Sequence, residues 1–194
     1  QMIQLSIIIP IYNEEANIPP LYSRLKKVIG DITLSHEFIF INDGSKDRSI
    51  ELIRDLAARD AAVKYINFSR NFGHQIAVTA GLDHAHGEAV VIIDADLQDP
   101  PELIAEMYAK MKEGFQVVYA KRRSRSGESF LKKYTAKNFY RILARITYIS
   151  IPVDTGDFRL VDKRVVDVLR HMPEQQNFLR RQISWIGSNQ QNVE

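Results

Sequence analysis

The chain has 194 residues, of which 45% are hydrophobic and 26% charged, the proportions of an ordinary globular domain with one well-buried core. It contains no cysteine, which excludes a disulfide framework and any thiolate zinc or iron–sulfur site and suits a reducing compartment. The net charge of +2 conceals an asymmetry: Lys121 to Arg145 holds nine Lys or Arg against Glu128 alone, so that segment carries +8 and the remainder −6, a candidate contact surface for anions.

The run Leu5–Ile11 reads as a buried first strand, closed by the polar loop from Tyr12 to Glu15. A helix follows, with Asn17 placed to cap it, Pro19 and Pro20 in its first turn, and Leu21, Leu25, Val28 and Ile29 on one face. A second strand over His36–Ile41 runs into Asn42-Asp43-Gly44-Ser45-Lys46-Asp47 and then a helix with Ile50, Ile53, Leu56 and Ala57 inward. The third unit is Val63–Phe68, the loop Ser69–Gly73 and a small-residue helix over about His74–His84. The fourth is the apolar run ending at Asp94, with a helix over Pro101–Lys112 whose Leu103, Met107 and Met111 face the core. Four strand-loop-helix units predict a single-domain α/β fold, a mostly parallel sheet flanked by helices with right-handed crossovers.

Gln116–Ala120 reads as a fifth strand. The basic segment then gives a helix over about 130–148, where Lys133, Lys137, Arg141 and Arg145 recur every four residues as a cationic stripe. Such a stripe suits an anionic membrane surface or a lipid phosphate, and equally a solvated face on a core-packed helix. Nucleic acid is disfavoured, because no binding motif accompanies the charge. The polar cluster Asp154–Asp162 precedes a short strand and a helix with Val165, Val166, Val168 and Leu169. Within that cluster, Asp157 and Arg159 either project into the crevice or form a loop ion pair. Phe178–Ile186 has helical spacing, and Ser188–Glu194 is left without a closing element, a tail that could pair with another subunit. There is no signal-peptide pattern, and no apolar run approaches the roughly 18 to 20 residues of a membrane helix.

The chemistry centres on Asp94-Ala-Asp96-Leu-Gln98-Asp99-Pro100. Two carboxylates two residues apart at the exit of a buried strand need a cation or hydrogen-bond donors. Mg²⁺ and Mn²⁺ take one or two carboxylates together with phosphate oxygens of a substrate, so Asp94 and Asp96 are assigned to the metal. Asp99 is assigned to structure, as the N-cap of the following helix with Glu102 as its capping-box acid. In an open α/β sheet the loops at the strands' C-terminal ends converge, which places Glu14, Asp43, Gly73, Asp94 and Asp96 along one crevice. Neither a dinucleotide-binding glycine fingerprint nor a P-loop is present. His84 and His86 read as capping or surface residues rather than a zinc site.

Five strings carry a likeness: Pro10-Ile-Tyr-Asn-Glu14, Asn42-Asp-Gly-Ser-Lys-Asp47, Arg70-Asn-Phe-Gly73, Asp94-Ala-Asp-Leu-Gln-Asp-Pro100 and Gly156-Asp-Phe-Arg-Leu160. In this order, and over nearly the whole chain, they resemble the inverting nucleotide-sugar glycosyltransferases of the GT-A fold. The resemblance is to the polyisoprenyl-phosphate glycosyltransferases related to dolichol-phosphate mannose synthase and bactoprenol glucosyl transferase. It implies that Pro10, Tyr12, Glu14 and Asp43 hold the nucleoside, with Asp43 accepting from a base imide N–H. It further implies Mg²⁺ or Mn²⁺ on Asp94 and Asp96 against a UDP- or GDP-sugar diphosphate, Gln98 beside the sugar, and Asp157 at the catalytic-base position. One of Arg122, Arg123 and Arg125 would meet the acceptor phosphate or the leaving diphosphate. The implied partner is a polyprenyl phosphate, at the cytoplasmic face of the cell membrane.

Members of that family usually continue into transmembrane helices, and this sequence ends before any, as expected of a catalytic fragment or of a chain whose membrane attachment lies in a partner. Arg181-Gln182-Ile-Ser-Trp185 has the letters of the processive polysaccharide synthase string in the wrong order, which disfavours a processive enzyme. A transferase acting on a glycan or glycolipid hydroxyl, and a nucleotide-sugar-binding module without turnover, are the competing readings. A nucleotidyltransferase lacks its glycine-rich basic loop here.

Overall fold

Period-two alternation in the first strand decides the layering. In β1 (Leu5–Ile11) Leu5, Ile7, Ile9 and Ile11 enter one core and Ile8 the other. The chain is described by a computed structural model over residues 2–32, 34–121, 155–171 and 189–193. The further elements are α1 (Ile18–Ile32), β2 (His36–Asn42), α2 (Ser49–Arg59), β3 (Val63–Asn67), α3 (His74–His84), β4 (Ala89–Ile92), α4 (Leu103–Lys112), β5 (Val117–Lys121), β6 (Thr155–Asp162), α5 (Lys163–Arg170) and β7 (Gln190–Val193).

The seven strands lie in the order β3-β2-β1-β4-β6-β5-β7, all parallel except β6, which is antiparallel to β4 and β5. One core holds Phe38, Phe40, Val91, Phe158 and Leu160 with α1, α2 and α4, and the other holds Ile39, Ile41, Val90 and Val161 with α3 and α5. Stepping from β1 out to β3 puts α1 and α2 on one face. The chain then returns past β1 to β4, and α3 lies on the opposite face, as crossovers of one hand require when the direction of travel reverses. The next connection departs from the uniform handedness the sequence predicts. α4 shares the α1 face, where Ile104, Met107 and Met111 enter the same core as α1, with the exposed Arg24–Glu102 pair at 2.6 Å alongside, so the β4–α4–β5 crossover has the opposite hand.

Two sequence expectations are corrected here. Asp154–Asp162 reads as a polar loop ahead of a short strand, yet residues 155–162 are themselves β6, paired through Leu160 to Val91 and Val118. The segment from Ser188 is not left open, because Gln190–Val193 forms β7 beside β5. A smaller shift occurs at α4, which starts at Leu103 with Glu102 as N-cap residue and no side-chain cap. Glu102 bonds Arg24 rather than the helix end, and Asp99 is buried two residues before the turns that precede α4. The basic helix over 130–148, Arg122, Arg123 and Arg125, and the segment Phe178–Ile186 lie outside the described residues.

Candidate functional site

The change of direction between β1 and β4 opens a crevice at the strands' C-terminal ends. A cavity of about 340 Å³ there is lined by Pro10, Tyr12, Glu14, Asp43, Asp94 and Asp96, together with Asn71, Gly73 and His74 at the entry to α3. The alternation that sends Ile39 and Ile41, and Val90 and Ile92, to the α3 face sends Asp43 and Asp94 the same way. The strands are carried past their ends by single backbone bonds, Asp43 N–H to Ile11 O at 2.8 Å and Ile93 N–H to Ile8 O at 3.1 Å.

Three loops interlock around this cavity. Asn13, at φ +55°, accepts the Lys46 amide on Oδ1 at 2.8 Å while its own amide donates to Ser45 Oγ at 3.0 Å. The Glu14 amide donates to Ser49 Oγ and the Glu15 amide to Asp47 Oδ2, both at 3.0 Å, and Glu15 Oε2 accepts the Arg48 amide at 2.9 Å. Burial works to raise the Asp47 pKa, but the donors from Ser49 and the Glu15 amide outweigh it and hold the carboxyl below its ordinary value. Asn17 takes the N-cap position of α1, its carbonyl accepting the Leu21 amide, while its side-chain amide donates to Glu14 Oε2 at 2.6 Å. The third loop is tied to the second at Asp43, which is 2% exposed. Its Oδ1 accepts the Phe72 amide at 2.7 Å and its Oδ2 the Gly73 amide at 3.0 Å.

At the β4 end, Asp96 Oδ1 accepts the Gln98 amide at 3.0 Å, and Leu97 between them has φ +61°, a rare conformation for a branched residue that aims the turn. His74 Nε2 stands 3.7 Å from Asp94 Oδ1. Among the described residues lining the cavity four are acidic and none is Lys or Arg. That donor set fits Mg²⁺ or Mn²⁺. Asp94 and Asp96 are the pair of hard oxygen donors that would hold such an ion, and among the described residues no group of three or more His, Asp or Glu is placed to hold a metal by itself.

The structure therefore brings together Pro10, Tyr12, Glu14, Asp43, Asp94 and Asp96. Gln98 follows on the same turn as Asp96 but is exposed and does not line the cavity. Asp157 lies in β6, two residues before Arg159, which pairs with Ile92 of β4. Sequence reasoning missed Asn71 and His74. The available signal was the run Arg70–Gly73 standing directly at the start of a helix that faces the crevice.

The two sequence-flagged histidines are structural. The ring of His84 bonds Ala80 O at 2.8 Å, and His86 lies at the opposite end of the sheet beside the buried Glu37. Glu37 accepts from Ser6 Oγ at 2.6 Å, from Lys64 Nζ at 2.5 Å and from the His86 amide at 2.8 Å. Burial works to raise its pKa, yet these donors and the Lys64 charge prevail and hold it below the ordinary carboxylate value.

Residues 6–170 match the family model Glycosyl transferase family 2. The glycosyltransferase YkcC of Bacillus subtilis is 56% identical over 192 residues, covering 99% of this chain and 59% of the relative. The bactoprenol glucosyl transferase of Shigella phage SfV is 40% identical over 191 residues, covering 98% of this chain and 62% of the relative. The chain thus spans about three fifths of the length of these relatives. The mannosyltransferase PcManGT of Pyrobaculum calidifontis, solved with GDP-Man and Mn²⁺, shares the fold at a TM-score of 0.65 and 18% identity, over 100% of this chain and 55% of that one.

Proposed function

The chain belongs to glycosyl transferase family 2, and from that premise we propose that it transfers a hexose from a nucleotide sugar to a polyprenyl phosphate at the cytoplasmic face of a membrane. The observation that supports the reading is the acidic crevice of about 340 Å³, lined by Pro10, Tyr12 and Asp43 together with the carboxylates of Asp94 and Asp96. The 40% identity to a bactoprenol glucosyl transferase supports the acceptor class.

Asp94 and Asp96 would hold Mg²⁺ or Mn²⁺, which would supply charge neutralisation for the departing diphosphate. Pro10, Tyr12, Glu14 and Asp43 would bound the nucleoside end, and the family resemblance assigns Gln98, which is exposed and outside the cavity lining, to the sugar side. The acceptor phosphate has a second pKa of about 6 by analogy with phosphorylated side chains, so at neutral pH it is already mostly ionised. Its oxygen attacks the anomeric carbon, the carbon–oxygen bond to the β-phosphate breaks, and the nucleoside diphosphate leaves with the electron pair. No proton has to be removed from the nucleophile. Asp157 accordingly orients the acceptor or steadies an arginine such as Arg159 instead of acting as an essential base. One of Arg122, Arg123 and Arg125 would meet the acceptor phosphate or the leaving diphosphate, and the cationic residues from Lys133 to Arg145 would meet an anionic membrane surface. Among the described residues no helix is long and apolar enough to cross a membrane.

The test is nucleoside diphosphate release from a panel of UDP- and GDP-sugars with Mn²⁺ or Mg²⁺ and a short polyprenyl phosphate. Release that requires acceptor, metal and Asp96 is expected, and names the donor. Release with a glycan hydroxyl but not with the lipid phosphate would replace the acceptor. Donor binding without any release would leave a nucleotide-sugar-binding module.

A further inference from the structure

We propose that the chain carries a second binding site, for a phosphate-like oxyanion, at the end of the sheet opposite the acidic crevice. Nothing in it draws on the transferase reading. A cavity of about 360 Å³ is lined there by Met2, Ile3, Lys64, His86, Glu88 and Lys163, within the range of about 300–1,000 Å³ of small-molecule sites. Ile3 precedes β1, Lys64 lies near the start of β3, and His86 and Glu88 precede β4, so the cavity stands at the N-terminal ends of these strands.

This cavity gathers cations that the fold leaves with spare donors. Lys64 is held in place by Glu37, whose Oε2 accepts from its Nζ at 2.5 Å on a side chain that is 1% exposed. Glu37 Oε1 is already engaged by Ser6 Oγ and the His86 amide. An ammonium has three donors; Glu37 takes one, and among the described residues no other group takes the remaining two. Lys163 opens α5, a helix with no acid in its first turn, where the dipole disfavours a cation. Its backbone is fixed, because its amide donates to Glu88 O at 2.9 Å. The neighbouring Arg164 is satisfied by Asp162 at 3.0 Å, whereas the Lys163 ammonium has no partner among the described residues. Glu88 opposes an anion, but its carboxylate lies 3.8 Å from Lys112 Nζ, which offsets part of its charge. Met2 and Ile3 leave an apolar wall for an organic tail.

His86 completes the set. Its Nδ1 stands 3.4 Å from Glu37 Oε1 on a ring that is largely exposed. Glu37 on β2 and Glu88 on its own turn favour the imidazolium, while Lys64 on β3 and Lys163 on α5 oppose it. A bound dianion adds negative charge to the favouring side, so binding draws a proton onto His86.

The experiment titrates the chain with inorganic phosphate and with glycerol phosphate, without divalent cation, and follows backbone amide shifts. Those of His86, Gly87 and Lys163 should saturate at roughly millimolar concentration while Gly73 in the crevice stays unmoved. Saturation with either probe supports the site, and the tighter probe names its ligand as the free ion or a monoester. Lys163→Gln, which has no ion pair to lose, should weaken binding at least about fivefold, and Glu88→Gln should tighten it about two- to threefold. Sulfate stays a dianion near neutral pH, so its binding heat isolates the protein's own proton uptake. That heat should vary with the ionisation heat of the buffer in wild type and not in His86→Gln. The absence of saturable shifts at the three amides, or equal affinity in wild type, Lys163→Gln and Glu88→Gln, would overturn the proposal. Buffer-dependent heat that persists in His86→Gln would overturn the part given to the imidazole.

Discussion

Gly44 is the position where a single methyl group has the largest calculable effect on the crevice. Its φ is +67°, and a Cβ built there would lie 2.3 Å from the Arg70 carbonyl carbon and 2.5 Å from the Asn71 amide nitrogen. Both neighbours are backbone atoms, so no side-chain rotation relieves the contact. A left-handed conformation costs an L-residue about 1–2 kcal/mol. Carbon atoms sit comfortably at about 3.5–4.0 Å, so the wall must withdraw by roughly 1 Å or more. That movement takes the amides of Phe72 and Gly73 out of hydrogen-bonding range of Asp43, and hydrogen bonds to a charged group contribute about 1.5–3 kcal/mol each. With water replacing part of what is lost, Gly44→Ala should destabilise the fold by roughly 3–6 kcal/mol. In a domain of this size each kcal/mol lowers Tm by about 2–4 °C, so the melting temperature should drop by at least about 6 °C. The assay is thermal unfolding with calorimetric UDP titration, run beside two control glycines. Gly73 has φ +102° and nothing within 4 Å of a built Cβ, so Gly73→Ala should carry only conformational strain of about 1–3 kcal/mol. Gly30 lies inside α1 with open space around it, and Gly30→Ala should stabilise by about 0.5–1 kcal/mol. A Gly44→Ala protein that melts within about 2 °C of wild type and binds UDP equally well would refute the interlock.

Glu37→Gln should destabilise by roughly 1–3 kcal/mol in urea unfolding, because the buried site loses its charge-assisted hydrogen bonds while the half-exposed Lys64 ammonium is left to solvent. UDP affinity should not change, since Glu37 and Asp43 stand at opposite ends of the second strand unit. Acid unfolding should expose Asp60. Burial works to raise its carboxyl, but hydrogen bonds from Tyr22, Lys26 and the Ala62 amide hold it at about 2. The folded pKa is the lower one, so its stabilisation of roughly 2 kcal/mol is present above about pH 4 and disappears as pH falls through 2. Stability against pH for Asp60→Asn should lack that limb. On the alkaline side, burial and the Asp60 carboxylate raise the Tyr22 hydroxyl to about 12; its contribution is complete below pH 10 and disappears as pH rises through 12, a loss that Tyr22→Phe should not show. Finally, Asp96→Asn should reduce sugar transfer at least about 100-fold, and chelation should match that loss and be reversed by Mn²⁺ or Mg²⁺.

Most of the sheet was legible in the sequence because its strands are apolar on both faces. Leu5–Ile11 and the run ending at Asp94 cannot be placed anywhere but in a covered sheet. The helix over His74–His84 was legible from its small residues, and the structure supplies the reason: a Cβ on Gly81 would lie 2.5 Å from Ile8 Cγ2, so α3 lies directly on β1. β6 was not legible. Its Asp157-Phe158-Arg159-Leu160 alternates over only four residues before Val161 and Asp162 interrupt the pattern, and its state is set by pairing on both sides with β4 and β5, partners that local pattern does not reveal. β7, three polar residues and one buried valine at a sheet edge, carries still less signal. In the crevice, spacing identified the carboxylates, whereas the double engagement of Asp43 was not legible, because it depends on two backbone amides whose direction no side-chain letter encodes.

The charge of the crevice constrains the chemistry more tightly than any one of its residues. Glu14, Asp43, Asp94 and Asp96 line it with no described Lys or Arg among them, so a diphosphate entering alone meets like charge on several sides. One such pair at about 4 Å opposes binding by about 4 kcal/mol at an effective dielectric of 20. A divalent cation held by Asp94 and Asp96, as proposed, would turn that opposition into attraction. Under the same reading, the arginines after β5, in the segment that carries +8, would add positive charge for the phosphates. Cation and donor must then assist each other reciprocally, each raising the other's affinity by the same factor. Once the glycosidic bond breaks, the nucleoside diphosphate carries more negative charge than the donor did. A cation and arginines so placed would stabilise the departing group more than the bound substrate, which is the condition for accelerating transfer and not merely tightening binding.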